Sequence, residues 1–202
     1  MKTSVPITER RYAVPLVLVT SLFFLWAIGV NANDILIQHF KKAFGLTDFQ
    51  SSLIQSAFFG GYFLAALPAG WLMQRLGYKR GILIGLLVCA TGTALFIPAA
   101  SVRMYGFFLF ALFVMACGQS FLEVAANPYV TTLGPEQSSE RRLNLAQSFN
   151  ALGAVLVAIL GSSFILSGIE HTPAELVAMS PAQLTAYQIS EANMVKLPYV
   201  CI

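Results

Sequence analysis

Of 202 residues, 57% are apolar and 10% are charged, against about 25% charged in a soluble domain. So few charges cannot cover a water-soluble surface, and a mean hydropathy of +0.72 with 16 Phe points to lipid as the solvent. The net charge of +3 is small and dispersed, with no Lys/Arg-rich run and no aromatic-basic interleaving, which sets nucleic acid aside as a partner.

Five stretches meet the roughly 20 helical residues needed to cross a hydrocarbon core. In chain order they run 14–38, 49–73, 81–99, 105–130 and 143–167, after a tail at 1–13. The first lacks a small-residue cleavage site and further spans follow it, so it reads as an anchor and not as a removed signal peptide. A loop occupies 168–196, and 197–202 reads as the start of a sixth span that is cut short. Placing the N-terminus inside puts eight basic residues on the inner side (Lys2, Arg10, Arg11, Arg75, Lys79, Arg80, Arg141, Arg142) and four outside (Lys41, Lys42, Arg103, Lys196). That bias predicts a cytoplasmic N-terminus and a periplasmic 168–196 loop.

Start signals mark several helices. Thr47 with Gln50 forms a capping-box pattern ahead of the second span, and the pattern recurs in the loop at Thr172 with Glu175 and at Ser180 with Gln183. The last two have Pro at the first helical position. Two short helices are expected there, with Leu176, Val177, Leu184 and Tyr187 as apolar faces; a plain spacer is the alternative. Cys89, Cys117 and Cys201 are odd in number and widely spaced within apolar stretches, which predicts packing, with neither disulfide nor metal. His39 and His171 stand alone and read as interfacial or loop residues. No cofactor is expected.

Of nine acidic residues, Asp34 and Glu123 fall inside predicted spans, where an ionisable group costs about 3 kcal/mol on insertion scales and marks function. Removing a carboxyl from water disfavours its charged form, which suits a group that takes up and releases a proton. Asn31, Ala27 and Phe23 share a face with Asp34, and Asn33 widens the polar surface. Gln119 and Asn127 flank Glu123 at four residues each and give the fourth span a polar stripe. Asn144, Gln147, Ser148 and Asn150 add amides and a hydroxyl on the fifth, donor and acceptor types that read sugar hydroxyls. Trp26 and Phe23 offer apolar faces to a sugar ring.

Plainer readings stand beside these. Asp34 at the outer interface, Glu123 in a structural hydrogen bond, the fifth-span amides as interhelical glue, Trp26 as packing and Asn127-Pro128 as a kink all remain open. From their heights along the helices, the two carboxyls straddle the membrane centre on opposite sides. The first and fourth helices are equivalent in a bundle of inverted three-plus-three repeats, so the two acids are expected to be pseudo-symmetric counterparts.

The run Gly70-Trp71-Leu72-Met73-Gln74-Arg75-Leu76-Gly77-Tyr78-Lys79-Arg80 resembles the signature loop of the major facilitator superfamily, with Gln74 where that pattern has an acidic residue. Its charge relay is weakened accordingly. The stretches Asn33-Asp34-Ile35-Leu36, Glu123-Val124-Ala125-Ala126-Asn127-Pro128-Tyr129, Leu133-Gly134-Pro135-Glu136 and Arg142-Leu143-Asn144-Leu145-Ala146-Gln147-Ser148-Phe149-Asn150 are similar to the fucose:proton symporter family. Bacterial members of that family carry L-fucose, glucose, galactose or N-acetylglucosamine. The likeness runs from Val14 to the end of the chain.

The resemblance implies an all-α integral membrane protein of the bacterial inner membrane: a major facilitator N-terminal six-helix bundle, truncated in helix six. A second six-helix half, absent here, would hold the sugar against the first. Asp34 corresponds to the family's proton-linked aspartate and Glu123 to its fourth-helix glutamate near the sugar. Glucose/galactose relatives tend to have glutamine at the latter position, which tilts Glu123 toward L-fucose. Asn31, Gln147 and Asn150 match polar positions of the central cavity, and Gly70, Arg75, Gly77, Lys79 and Arg80 match the gating loop. The expected function is inward transport of a sugar with a proton by alternating access, with lipid as the surround. The rivals are a non-transporting fragment or a membrane sugar sensor. An intramembrane enzyme finds no nucleophile-base pair or metal-ligand cluster in the spans.

Overall fold

The computed structural model describes residues 5–44, 46–102 and 104–165, with 175, 178–180, 182–187 and 189 beyond them; side chains are described at these positions except at 32–44, 100 and 160–165. Five α-helices run in order: α1 (Ala13–Phe44), α2 (Asp48–Leu76), α3 (Tyr78–Val102), α4 (Tyr105–Thr131) and α5 (Ser139–Ile165). At 25–32 residues each, they are about 38–48 Å long at 1.5 Å per residue, enough to cross a core about 30 Å thick. Among the described residues these five are apolar enough to span a membrane and none forms a strand. The protein is an all-α, multi-pass membrane protein.

Helices α1, α2, α3 and α5 begin before their apolar stretches do, and α1 to α4 outrun theirs at the far end. Hydropathy ends where charge begins, whereas the backbone of a helix stays internally bonded past that point. The start of α2 is set by Thr47: its hydroxyl accepts from Gln50 N–H at 3.2 Å and Gln50 Oε1 accepts from Thr47 N–H at 3.0 Å, completing the capping box. The same reciprocal pair joins Ser180 and Gln183 ahead of helical residues 182–187. Thr172, Leu176 and Val177 lie outside the described residues, as do His171, Cys201 and 197–202. Helix α2 stops at Gly77, whose φ of +79° favours glycine and whose N–H donates to Met73 O at 2.9 Å. One residue thus turns α2 into α3. Pro128 leaves α4 helical through to Thr131.

Helix α4 is the centre of the bundle, with α3 and α2 packed along it; α1 pairs with α5, and that pair touches α4 more lightly. Small residues set the closest approach. A Cβ added at Gly118 would stand 2.8 Å from the Gly85 carbonyl oxygen, so α3 and α4 meet backbone to backbone. Phe96, Phe108, Leu112 and Met115 fill the α2–α3–α4 interior. Phe23, Ala126, Val130 and Ala146 seal α1 and α5 onto α4 at the end nearer the N-terminus. Outward, Leu67 is 81% exposed and Leu87 69%, an arrangement that needs lipid around it.

Arg142, read from the sequence as a surface topology charge, is fully buried. Its Nε donates to Val130 O at 3.1 Å, which also accepts from backbone N–H, and its Nη2 donates to Thr131 O at 2.5 Å, covering the last carbonyl of α4. Its Nη1 donates to Ile7 O at 2.8 Å, Pro135 O at 3.1 Å and Ser138 Oγ at 2.8 Å. Thr8 Oγ donates to Leu133 O at 2.7 Å beside it. The α4–α5 turn and the N-terminal segment are therefore tied by this guanidinium together with the Thr8 and Ser138 hydroxyls, and the guanidinium stands at the negative end of the α4 dipole.

Candidate functional site

Where the α1/α5 pair leans away from α2 and α4, a cavity of about 220 Å³ remains. Trp26 and Asn31 of α1, Phe58 and Tyr62 of α2, Glu123 of α4 and Asn150 of α5 line it. Four of the sequence-predicted residues, Trp26, Asn31, Glu123 and Asn150, thus share one wall system. Asn31 Nδ2 donates to Ala27 O at 2.7 Å and Asn150 Nδ2 to Phe23 O at 3.2 Å. Each amide spends a donor on α1 backbone and keeps its carbonyl for other partners.

Glu123 is half-buried, and among the described residues no hydrogen bond or ion pair holds its carboxyl. A second cavity, about 540 Å³ and more open, lies on its other side and reaches Ser120 and Asn127. Glu123 borders both. Asn127 Nδ2 donates to the Glu123 backbone carbonyl at 3.1 Å, and Asn127 Oδ1 accepts from Gln147 Nε2 at 3.1 Å. Gln147 is exposed and bridges α5 to α4 through that bond instead of lining the first cavity.

Two predicted residues sit behind the wall. Phe23 has no exposed surface and packs against Ala126 and Val130; its ring meets Trp26 edge-on at 5.9 Å, so it backs the indole and does not face the cavity. Gln119 is 2% exposed, and its Oε1 accepts from the Tyr62 hydroxyl at 3.4 Å. Asn144 and Ser148 are exposed, with Ser148 Oγ turned onto Asn144 O at 2.8 Å. Asp34 and Asn33 continue the α1 helix, and their side chains lie outside the described residues. Asp34 stands one turn beyond Asn31.

Tyr62 escaped the sequence reading. Its Oη accepts from Trp26 Nε1 at 3.1 Å and lines both cavities. Its signal was available: a phenol inside an apolar span, directly after Gly60-Gly61. A Cβ at Gly61 would stand 2.7 Å from the Phe113 carbonyl oxygen, so the glycine admits α4 close enough for Ser120 Oγ to donate to Tyr62 O at 3.0 Å.

At the α2–α3 turn, Arg75 stacks over the Trp71 ring at 4.1 Å. Lys79 and Arg80 are exposed in the first turn of α3, and a Cβ at Gly70 would meet open space. The loop residues thus stand at the bundle surface, away from both cavities.

Residues 17–178 match the family described as Major Facilitator Superfamily. The chain belongs to this superfamily. Within the superfamily it is 52% identical over 195 residues to the L-fucose-proton symporter of Escherichia coli (strain K12), an alignment covering 96% of this chain and 44% of that relative. It is 47% identical over 195 residues to the glucose/galactose transporter of Brucella abortus biovar 1 (strain 9-941), with 96% and 44% covered. The crystal structure of the E. coli fucose:proton symporter matches with a TM-score of 0.84 at 49% identity, over 95% of this chain and 46% of that one. A superfamily transporter crystallised in the outward conformation matches with a TM-score of 0.84 at 51% identity, covering 95% and 47%. The chain spans a little under half the length of these relatives.

Proposed function

We propose that this chain supplies the N-terminal bundle of a proton-coupled sugar carrier, with L-fucose the favoured cargo and glucose, galactose or N-acetylglucosamine as alternatives. The carrying observation is Glu123: an unpaired carboxyl among the described residues, set among apolar helices and bordering a cavity on each side. Such a group can take a proton from one compartment and lose it to another only if the protein alternately opens each side. Asn31 and Asn150 present amides to the same space, and Trp26 gives it an aromatic wall. The 52% identity to an L-fucose-proton symporter supports the cargo class.

In this reading Asp34 is the second proton-carrying acid, one turn beyond the cavity on α1, and Gln119, Gln147 and Asn127 hold the surrounding amide network. The N-terminus is cytoplasmic, the membrane is a bacterial inner membrane, and a second six-helix half closes the cavity. The Gly70–Arg80 turn acts as the gating loop.

The test is uptake of radiolabelled L-fucose and D-galactose into proteoliposomes holding the complete gene product, with an inwardly directed proton gradient. Uptake should rise with the gradient and be lost in Asp34→Asn and Glu123→Gln, while sugar exchange at equal pH persists in at least one of them. Gradient-independent uptake, or net uptake unchanged by both substitutions, refutes the proposal.

A further inference from the structure

We infer that Tyr62 is a positioning residue: its phenol fixes the indole of Trp26 against the cavity and forms, with Phe59 and Glu123, the partition between the two cavities. Those three residues are common to both linings. The consequence for cargo rests on the sugar-carrier reading; the positioning itself does not.

The direction of the hydrogen bonds carries the first step. An indole N–H only donates, so Tyr62 Oη must accept from Trp26 Nε1 at 3.1 Å. The phenol proton then needs another acceptor, and Gln119 Oε1 takes it at 3.4 Å. The second bond is long for O–H···O, so the Trp26 bond is the stronger constraint. Gln119 is itself buried, at 2% exposure, and cannot turn to water.

The ring is placed independently of these bonds. Ser120 Oγ holds the Tyr62 carbonyl at 3.0 Å, Cys117 Sγ meets the neighbouring Gly61 carbonyl at 3.5 Å, and the Phe58 ring lies 5.2 Å from the Tyr62 ring. Backbone and ring are thus set by α4 and α2, and the hydroxyl transfers that fixed position to α1. Phe23 steadies the other edge of the indole. Without the hydroxyl, the indole N–H faces an apolar phenyl edge and turns away to find an acceptor.

The chain has two Trp, and Trp71 lies at the α2 end, 55% exposed. Trp71→Phe therefore leaves Trp26 as sole reporter. In lipid nanodiscs, resonance Raman of this single-Trp chain should show a hydrogen-bonded indole N–H, and a free N–H overturns the inference without any change at Tyr62. Tyr62→Phe should convert the signal to free N–H and raise acrylamide quenching of Trp26 about twofold or more, with helix content by circular dichroism unchanged. Gln119→Leu should produce a smaller change in the same direction. Quenching and Raman signals identical in Tyr62→Phe and its parent overturn the inference.

L-fucose added to the same samples separates the two levels. It should shield Trp26 in the parent, with half-saturation shifted about tenfold upward in Tyr62→Phe. Equal half-saturation in both overturns the role in binding. Shielding in neither, with the Raman change intact, overturns the role of Tyr62 in sugar binding by this bundle and leaves the positioning standing.

Discussion

Replacing Arg142 by leucine tests the most heavily bonded side chain in the described bundle. Its guanidinium donates to five acceptors: the carbonyls of Val130, Thr131, Ile7 and Pro135 and the Ser138 hydroxyl. Leucine fills part of the volume but strips Thr131 O of its side-chain donor, while Ser138 Oγ still reaches Ile7 O and Pro135 O and Leu133 N–H still reaches Val130 O. Losing hydrogen bonds from a buried charged group to neutral acceptors costs about 1.5–3 kcal/mol. At about 2–4 °C per kcal/mol for a chain of this size, the unfolding midpoint should fall by about 3–12 °C. Lysine keeps the charge on a single nitrogen that cannot reach acceptors spread around a planar fork, so Arg142→Lys should recover less than half of the loss.

A second readout of the same variant is local. Ile7 and Thr8 are tied to the α4–α5 turn, and the exposed Arg10 and Arg11 follow them. Releasing the segment should speed trypsin cleavage at Arg10 and Arg11 well before global unfolding. Thermal unfolding in detergent and a timed digest measure both effects. An Arg142→Leu chain that melts within about 2 °C of the parent and is cut at the same rate would refute the assignment of Arg142 as a tie.

Thr47→Ala should cost about 1 kcal/mol through loss of the α2 capping box, read as a drop in unfolding midpoint, while Thr47→Ser should retain most of it. Gly118→Val should abolish folded, monodisperse protein in size-exclusion chromatography, because its side chain would enter the Gly85 carbonyl at the α3–α4 contact; Val at the unobstructed Gly106 should be accepted. A double-mutant cycle between Asn127→Ala and Gln147→Ala should give a coupling of about 0.6 kcal/mol in stability, the usual size for an interhelical polar contact in a membrane. No coupling would free Gln147 from the role of helix glue.

The order and approximate extent of the five described spans were legible in the chain itself. In lipid a segment must satisfy its backbone internally, so length and hydropathy of each stretch decide its structure without reference to any other. The capping pairs at Thr47 and Ser180 are equally local, each closing within three residues. Glu123 was legible for a related reason: a carboxyl in an apolar span is costly wherever the neighbours lie.

On α4 the polar stripe of Gln119, Glu123 and Asn127 marked an inward face, whereas α2 carries little amphipathic signal and its inward face was not legible. Only packing could turn Phe23 into the wall behind Trp26, bring Tyr62 to an indole 36 residues away, and bury Arg142 against Ile7, 135 residues distant in sequence. Those contacts depend on helix rotation and on the glycines that set interhelical distance, quantities shared between segments and written in none of them singly. Residue chemistry therefore named the candidate groups, and tertiary contact alone decided which of them share a cavity.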